Sequence, residues 1–271
     1  MKSFKGWVRF LFVTVGIVAL TSFTVDATDA LRGSQSALSI LMGSALEDSC
    51  PEGTVQIDLS DKSICMDMYE NSVADTCPVT TPENTLQTKE NIDVYTCTSE
   101  SKVNETPWVF VSYTQAKQLC AKKNMRLPSP LEWYESGLGT PDSQACNTKG
   151  TLADTGVFSE CISSRGVYDT IGNVWEWVDT KIESSVFEHR TLPSEGYVTE
   201  VGTAGVATVT SRESNNLYNN DYFWTGTEGT RAMLRGGFYA AGDDAGLFAV
   251  NTTVTPAFSS IAIGFRCVQN L

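Results

Sequence analysis

From Cys50 onward, apolar and polar positions first alternate. Val55, Ile57 and Leu59 fall on one side of a period-two pattern, and Ile64, Met66 and Met68 repeat it, which predicts two half-buried strands. The far end of the chain is again strand-like, from Met233 to Gly237 and from Ile261 to Val268. Between them lie two short helical patterns with clear starts. Ser112-Tyr113-Thr114-Gln115 is a capping box, followed by Ala116, Leu119, Cys120 and Lys123 at helical spacing. Ser129-Pro130-Leu131-Glu132 is a second capping box with proline at the first helical position, and Gly137 or Gly139 ends that helix. Leu131, Trp133 and Tyr134 on it read as core packing. Residues 74–107 and 140–170 read as loops. Residues 180–230 show little periodicity beyond one candidate strand at Val206–Val209. The pattern describes one domain over residues 50–271 with long excursions, its two β-like ends expected to pair in one sheet.

The first residues follow a different logic. Lys2, Lys5 and Arg9 precede an apolar run from Phe10 to Leu20, and Val25-Asp26-Ala27 places small residues at a cleavage site. About 11 apolar residues fall short of the ~20 that a spanning helix needs. Residues 1–27 are therefore expected to be a cleaved secretory signal and residues 28–49 a tether. The expected product is secreted, periplasmic or on the cell surface, with no stable membrane span after cleavage.

Composition narrows the chemistry. Of 271 residues 41% are apolar, enough for a core. Nineteen Lys and Arg face 32 Asp and Glu, a net charge of −13, which argues against nucleic-acid binding. The single histidine, His189, excludes sites built from two or three imidazoles. It lies in Glu188-His189-Arg190 without a nucleophile motif, and reads as a surface residue. Eight cysteines in an exported chain read as a disulfide framework, and no C-x-x-C pair suggests a metal. Eight cysteines allow 105 pairings. Proximity favours Cys50–Cys65, Cys77–Cys97 and Cys146–Cys161, leaving Cys120 with Cys267. Loop-entropy models give so long a closure roughly 4–5 kcal/mol as an upper value.

Four segments in order carry a family resemblance. They are Ile64-Cys65-Met66-Asp67-Met68-Tyr69-Glu70, Val109 through Cys120 to Arg126-Leu127-Pro128-Ser129-Pro130-Leu131-Glu132-Trp133, Tyr168-Asp169-Thr170-Ile171-Gly172-Asn173-Val174-Trp175-Glu176-Trp177, and Leu234-Arg235-Gly236-Gly237 with Ile263-Gly264-Phe265-Arg266-Cys267. Together they resemble the formylglycine-generating enzyme (sulfatase-modifying factor) family. The resemblance implies an α+β, C-type-lectin-like fold: a small twisted antiparallel sheet, two helices and long loops. It also supports Cys120–Cys267. It further implies a structural calcium held by the side chains of Asp169 and Glu176 and the carbonyls of Gly172 and Val174. Oxygen donors on a tight turn suit that ion. The alternative is a buried Glu176 flanked by Trp175 and Trp177 and bonded to backbone, with no ion.

The family's oxidases hold copper with two cysteines soon after Arg-Gly-Gly, since soft thiolates suit copper(I). Here residues 238–251 contain no cysteine, and Ala241 and Gly246 fall near the two expected thiols. No copper is expected. Asp243 and Asp244 read as a solvated turn with Gly242. Arg235, Arg266 and Glu132 read as structural ion pairs and caps. No catalytic constellation is found. The favoured reading is a non-catalytic module for an unknown protein, peptide or glycan ligand, with Phe238, Tyr239, Asp243, Asp244, Phe248 and Asn251 as binding residues. The stretch from Arg235 to Phe265 also resembles the diversified tail of variable proteins made by diversity-generating retroelements. The other reading is a divergent sulfatase-modifying enzyme, or an accessory acting on sulfatase-like peptides.

Overall fold

The computed structural model describes residues 50–271; the expected signal (1–27) and tether (28–49) lie outside the described residues. The first alternating run forms β1 (Thr54–Asp58) and β2 (Ser63–Asp67), paired antiparallel. The last residues, β14 (Val268–Asn270), pair antiparallel with β2, so the two ends of the domain share one three-stranded sheet, as expected. Ile57, Ile64, Met66 and Val268 are fully buried beneath it, together with Val167.

The excursion over 74–107 is more ordered than its polarity suggests. β3 (Asn71–Val73) and β4 (Ser99–Ser101) form a ribbon, and α1 (Thr85–Asp93) lies between them. Asn84 caps α1, accepting from the Leu86 and Gln87 amides at 3.0 and 3.1 Å. The residues α1 buries are polar, Thr88 and Asn91, so no apolar stripe announces it. The expectation of two helices is corrected to three for this reason.

The other two helices start at their capping boxes. They are α2 (Tyr113–Lys122), capped by Ser112 and Gln115, and α3 (Pro130–Gly137), capped by Ser129 and Glu132. In α3 Trp133 is fully buried and Tyr134 partly so, but Leu131 is 40% exposed, a correction to its reading as core. It sits in the first turn, one residue after the proline.

The main sheet has seven strands and is larger than expected. Its members are β5 (Trp175–Ile182), β8 (Gly196–Val201), β9 (Ala207–Ser211), β10 (Tyr222–Thr225), β11 (Arg231–Gly236), β12 (Gly246–Thr252) and β13 (Ile263–Gly264). A separate ribbon pairs β6 (Val186–Phe187) with β7 (Arg190–Thr191). The order is β13-β5-β11-β12-β10-β8-β9, antiparallel except for β10–β12 and β13–β5. On one face α2 sets Ala116, Leu119 and Cys120 in a core with Trp177, Leu234 and Phe265. On the other, Val178, Met233, Phe223 and Val250 pack with Trp133 of α3. Each such side chain contributes about 1.5–3 kcal/mol on burial. Cysteines pair as expected: Cys50–Cys65, Cys77–Cys97, Cys120–Cys267 and Cys146–Cys161.

Candidate functional site

Strand β11 ends in Arg235-Gly236-Gly237, where both glycines have φ near +90°. A Cβ on Gly236 would stand 2.5 Å from the Thr170 carbonyl oxygen, so the strand passes too close to that loop for any other residue. Beyond it the chain crosses a short 3₁₀ turn at Gly242–Asp244 and enters β12. This crossing is laced to the 147–150 loop: Gly242 N donates to the Thr148 carbonyl at 2.8 Å, and Gly150 N to the Tyr239 carbonyl at 2.6 Å. A cleft of about 270 Å³ opens beside it, lined by Gln144, Asn147, Thr148, Lys149 and Phe158 along the Cys146 disulfide.

Of the two positions near which the resemblance places thiols, Gly246 is closed to a side chain. No cysteine among the described residues is free. Gly246 is buried, and a Cβ built on it would lie 2.0 Å from Asp221 Oδ1 and 2.4 Å from Oδ2. Asp221 is itself fully buried and accepts from the Phe248 amide at 2.6 Å. Burial first, then the charge of Asp142, push its carboxyl well above the usual carboxylate range. The Asp221 carboxyl thus fills the space of a side chain at residue 246.

Arg235 does not make the ion pair expected of it. It is fully buried, donates to the carbonyls of Ala204, Gly205 and Leu247 at 2.9–3.3 Å, and stacks 4.7 Å from the centre of the Trp133 ring. Three carbonyls and an indole face receive the guanidinium in place of a carboxylate, and its buried Nε has no hydrogen-bond partner. Burial lowers its pKa to about 9. Glu132 does act as expected. It closes the α3 capping box and takes a forked pair of 2.6 Å hydrogen bonds from Arg126 and one of 2.7 Å from Lys62.

Of the residues expected to hold calcium, Glu176 meets a guanidinium. Both oxygens of Glu176 accept from Arg266, Nε at 2.7 Å and Nη2 at 2.5 Å, and Trp133 Nε1 donates to Oε2 at 2.7 Å. Arg266 and Glu176 are 0% and 1% exposed, so the ion pair is complete and sealed. Asp169 Oδ2 accepts from the Gly156 amide at 2.6 Å, in a turn where Asp169 has φ +54°. Above Gly172 and Val174 sits Glu70, for which the sequence reading had no role. It accepts from Asn173 Nδ2 at 2.7 Å and Val174 N at 3.2 Å. Burial pushes Glu70 well above its usual range, helped by Asp169 and Glu176; burial likewise raises Asp169 to about 6. Among the described residues no group of three or more His, Cys, Asp or Glu is arranged to hold a metal. Around Glu176 the positive charge is supplied by Arg266.

The six candidate binding residues do not converge on one face. Phe248 turns to the α3 side, against Tyr134 and Tyr218 with ring centres 5.9 and 5.2 Å away. Phe238 packs on the α2 side of the sheet and touches Tyr239 ring to ring at 5.3 Å. Asp243 is exposed and paired with Lys149 at 2.5 Å, the solvated turn foreseen for it, while Asp244 is half-buried. Asn251 stands in register with Trp224 across β10–β12, its oxygen capping Thr253.

The register around Trp224 exposes a feature not foreseen. Tyr197, Tyr222, Trp224 and Trp175 form a ladder of rings with successive centres 5.0, 4.8 and 5.4 Å apart. The period-two signal was present in Tyr222-Phe223-Trp224, but the surrounding stretch is too polar to announce three strands. His189 is exposed in the turn between β6 and β7 at φ +62°, as a surface residue.

Comparison with known proteins agrees with the third and fourth of the segments that carry the resemblance. Residues 144–271 match the model of the sulfatase-modifying factor enzyme 1-like domain. The inactive C-alpha-formylglycine-generating enzyme 2 of Bos taurus is 28% identical over 137 residues, covering 41% of this chain and 46% of that protein. The chain thus spans about half the length of the curated relative it matches. Among solved structures, the Major Tropism Determinant U1 variant is 18% identical with a TM-score of 0.47, covering 81% of this chain and 53% of that one. PvdO from Pseudomonas aeruginosa is 14% identical with a TM-score of 0.39, covering 80% and 90% respectively.

Proposed function

We propose that this domain is a non-catalytic binding module, exported by its N-terminal signal, on a C-type-lectin-like scaffold of the formylglycine-generating type. The observation that carries the reading is the Asp221 carboxylate standing 2.0 Å from where a Cβ of residue 246 would be, on a chain with no free thiol among its described residues. Copper(I) chemistry needs soft thiolates, and here a hard, buried carboxyl occupies the place of one. The name of the bovine relative, an inactive enzyme, accords with this. Export is supported by four disulfides, which persist in oxidising compartments. No helix of the described residues is long and apolar enough to cross a membrane.

The test is incubation with copper and a peptide bearing the sulfatase cysteine motif, read by mass spectrometry for the aldehyde. No conversion is expected. Turnover to formylglycine would overturn the reading in favour of a divergent modifying enzyme.

A further inference from the structure

Aromatic residues on the α2 face of the main sheet are not all covered. Trp175 is buried under the α2 core, whereas Trp224, Tyr222 and Tyr197 are only half-buried toward the β8 end. Tyr197 and Tyr222 are cross-strand partners with planes at 86°, and Tyr222 and Trp224 meet at 50°. Rings set at such angles present faces in more than one direction, forming the walls of a shallow corner rather than a flat strip.

The rim of this corner is acidic. The Tyr222 hydroxyl donates to Glu195 Oε1 at 3.3 Å, and Glu195 is exposed. Asp244 acts on Tyr222 from the other side, out of the 3₁₀ turn that also holds Asp243. Burial, then Glu195, Tyr197 and Asp244, raise the Tyr222 pKa, and burial, then Asp243, raises that of Asp244; Lys149 pairs with Asp243 in the same turn. The surface therefore combines electron-rich ring faces with carboxylates, on a chain of net charge −13. A cation is attracted to an aromatic face, more strongly as it is desolvated, and nearby carboxylates add to the attraction.

We propose that the corner formed by Tyr197, Tyr222 and Trp224, rimmed by Glu195 and Asp244, is the docking surface for a basic segment of a partner protein, whose lysine or arginine side chains lie over the rings. This rests on the binding-module reading and names its ligand class by charge complementarity.

Calorimetry on the full disulfide-bonded protein tests it with a synthetic Lys-Gly-Arg repeat peptide free of cysteine. The controls are the same repeat with glutamate at every basic position and a neutral cello-oligosaccharide. The basic peptide is expected to bind, less tightly as salt rises, and the acidic peptide not at all. Y222A or W224A should weaken binding by roughly tenfold. E195Q/D244N, which leaves the ring packing in place, should weaken it severalfold and flatten the salt dependence. An unchanged melting temperature in E195Q/D244N separates lost recognition from lost folding. Absence of basic-peptide binding, indifference to the ring variants and to E195Q/D244N, or preference for the oligosaccharide would each overturn the assignment. Those outcomes differ from formylglycine formation, which would remove the binding-module reading itself.

Discussion

Two buried carboxylates on neighbouring elements illustrate how environment decides the role of a residue. Glu132 loses hydration on burial, which alone would raise its pKa. The hydrogen bonds from Arg126, Lys62 and the Ser129 amide, with the charge of Arg126, outweigh that loss and hold it at about 2. Because the folded value lies below the unfolded one, its contribution is complete above about pH 4.5 and is lost as pH falls toward 2. E132Q should therefore flatten the acid limb of the stability profile between those values, measured as urea midpoints against pH. Glu176 is neutralised by a single partner. Removing Arg266 as R266M would leave an unpaired buried charge, an expected loss of about 3–5 kcal/mol. The double variant R266M/E176M should recover much of it, because burying an ion pair gains little over apolar packing. Chemical denaturation of the single and double variants decides the matter, and equal stability of the two would refute it. Gly246 is the sharpest constraint. G246C forces a Cβ into the Asp221 carboxylate, so restoring thiols as A241C/G246C should lower the melting temperature and yield no aldehyde.

Among the elements, legibility followed the kind of signal each carries. The capping boxes at Ser112 and Ser129 are local chemistry, written in consecutive residues, and both helices begin there. The alternating runs of β1 and β2 were equally readable, since one face of each is apolar. Helix α1 was not, because its buried positions are Thr88 and Asn91 and its cap is a lone Asn84. Thr88 serves the fold by accepting from Trp108 Nε1 at 3.2 Å, a contact that no periodicity reveals. Strands β8 to β10 were read mostly as irregular because their outward positions are polar or aromatic and their registers are interrupted by bulges. The site followed the same rule. The missing thiols and the segments around Glu176 were visible as residues, but the Arg266–Glu176 pairing is a contact spanning 90 positions. The aromatic corner assembles from β8 and β10, neither of which had been foreseen, so its residues could be seen individually and not as a group.

At the scale of the whole domain, four disulfides divide the work unequally. Three close loops of 15 to 20 residues, whereas Cys120–Cys267 closes 147 and ties α2 to the last strand-bearing segment. In the chain-entropy view a longer loop contributes more, though only logarithmically. C120A/C267A is expected to cost about 2–5 kcal/mol, and more than C77A/C97A, as read from thermal unfolding of each variant. An equal or smaller loss for the long bridge would mean that strain or residual structure outweighs loop closure. The same bridge has a mechanical consequence. Cys50 is bonded to Cys65 in β2, and Leu271 N donates to the Ser63 carbonyl beside it. Tension applied between residues 50 and 271 therefore enters and leaves through one small sheet. Between Cys65 and Cys120 only Cys77–Cys97 shortens the path, so β3, β4 and α2 lie in the line of force, whereas Cys120–Cys267 bypasses residues 121–266 and with them the seven-stranded sheet and its aromatic corner.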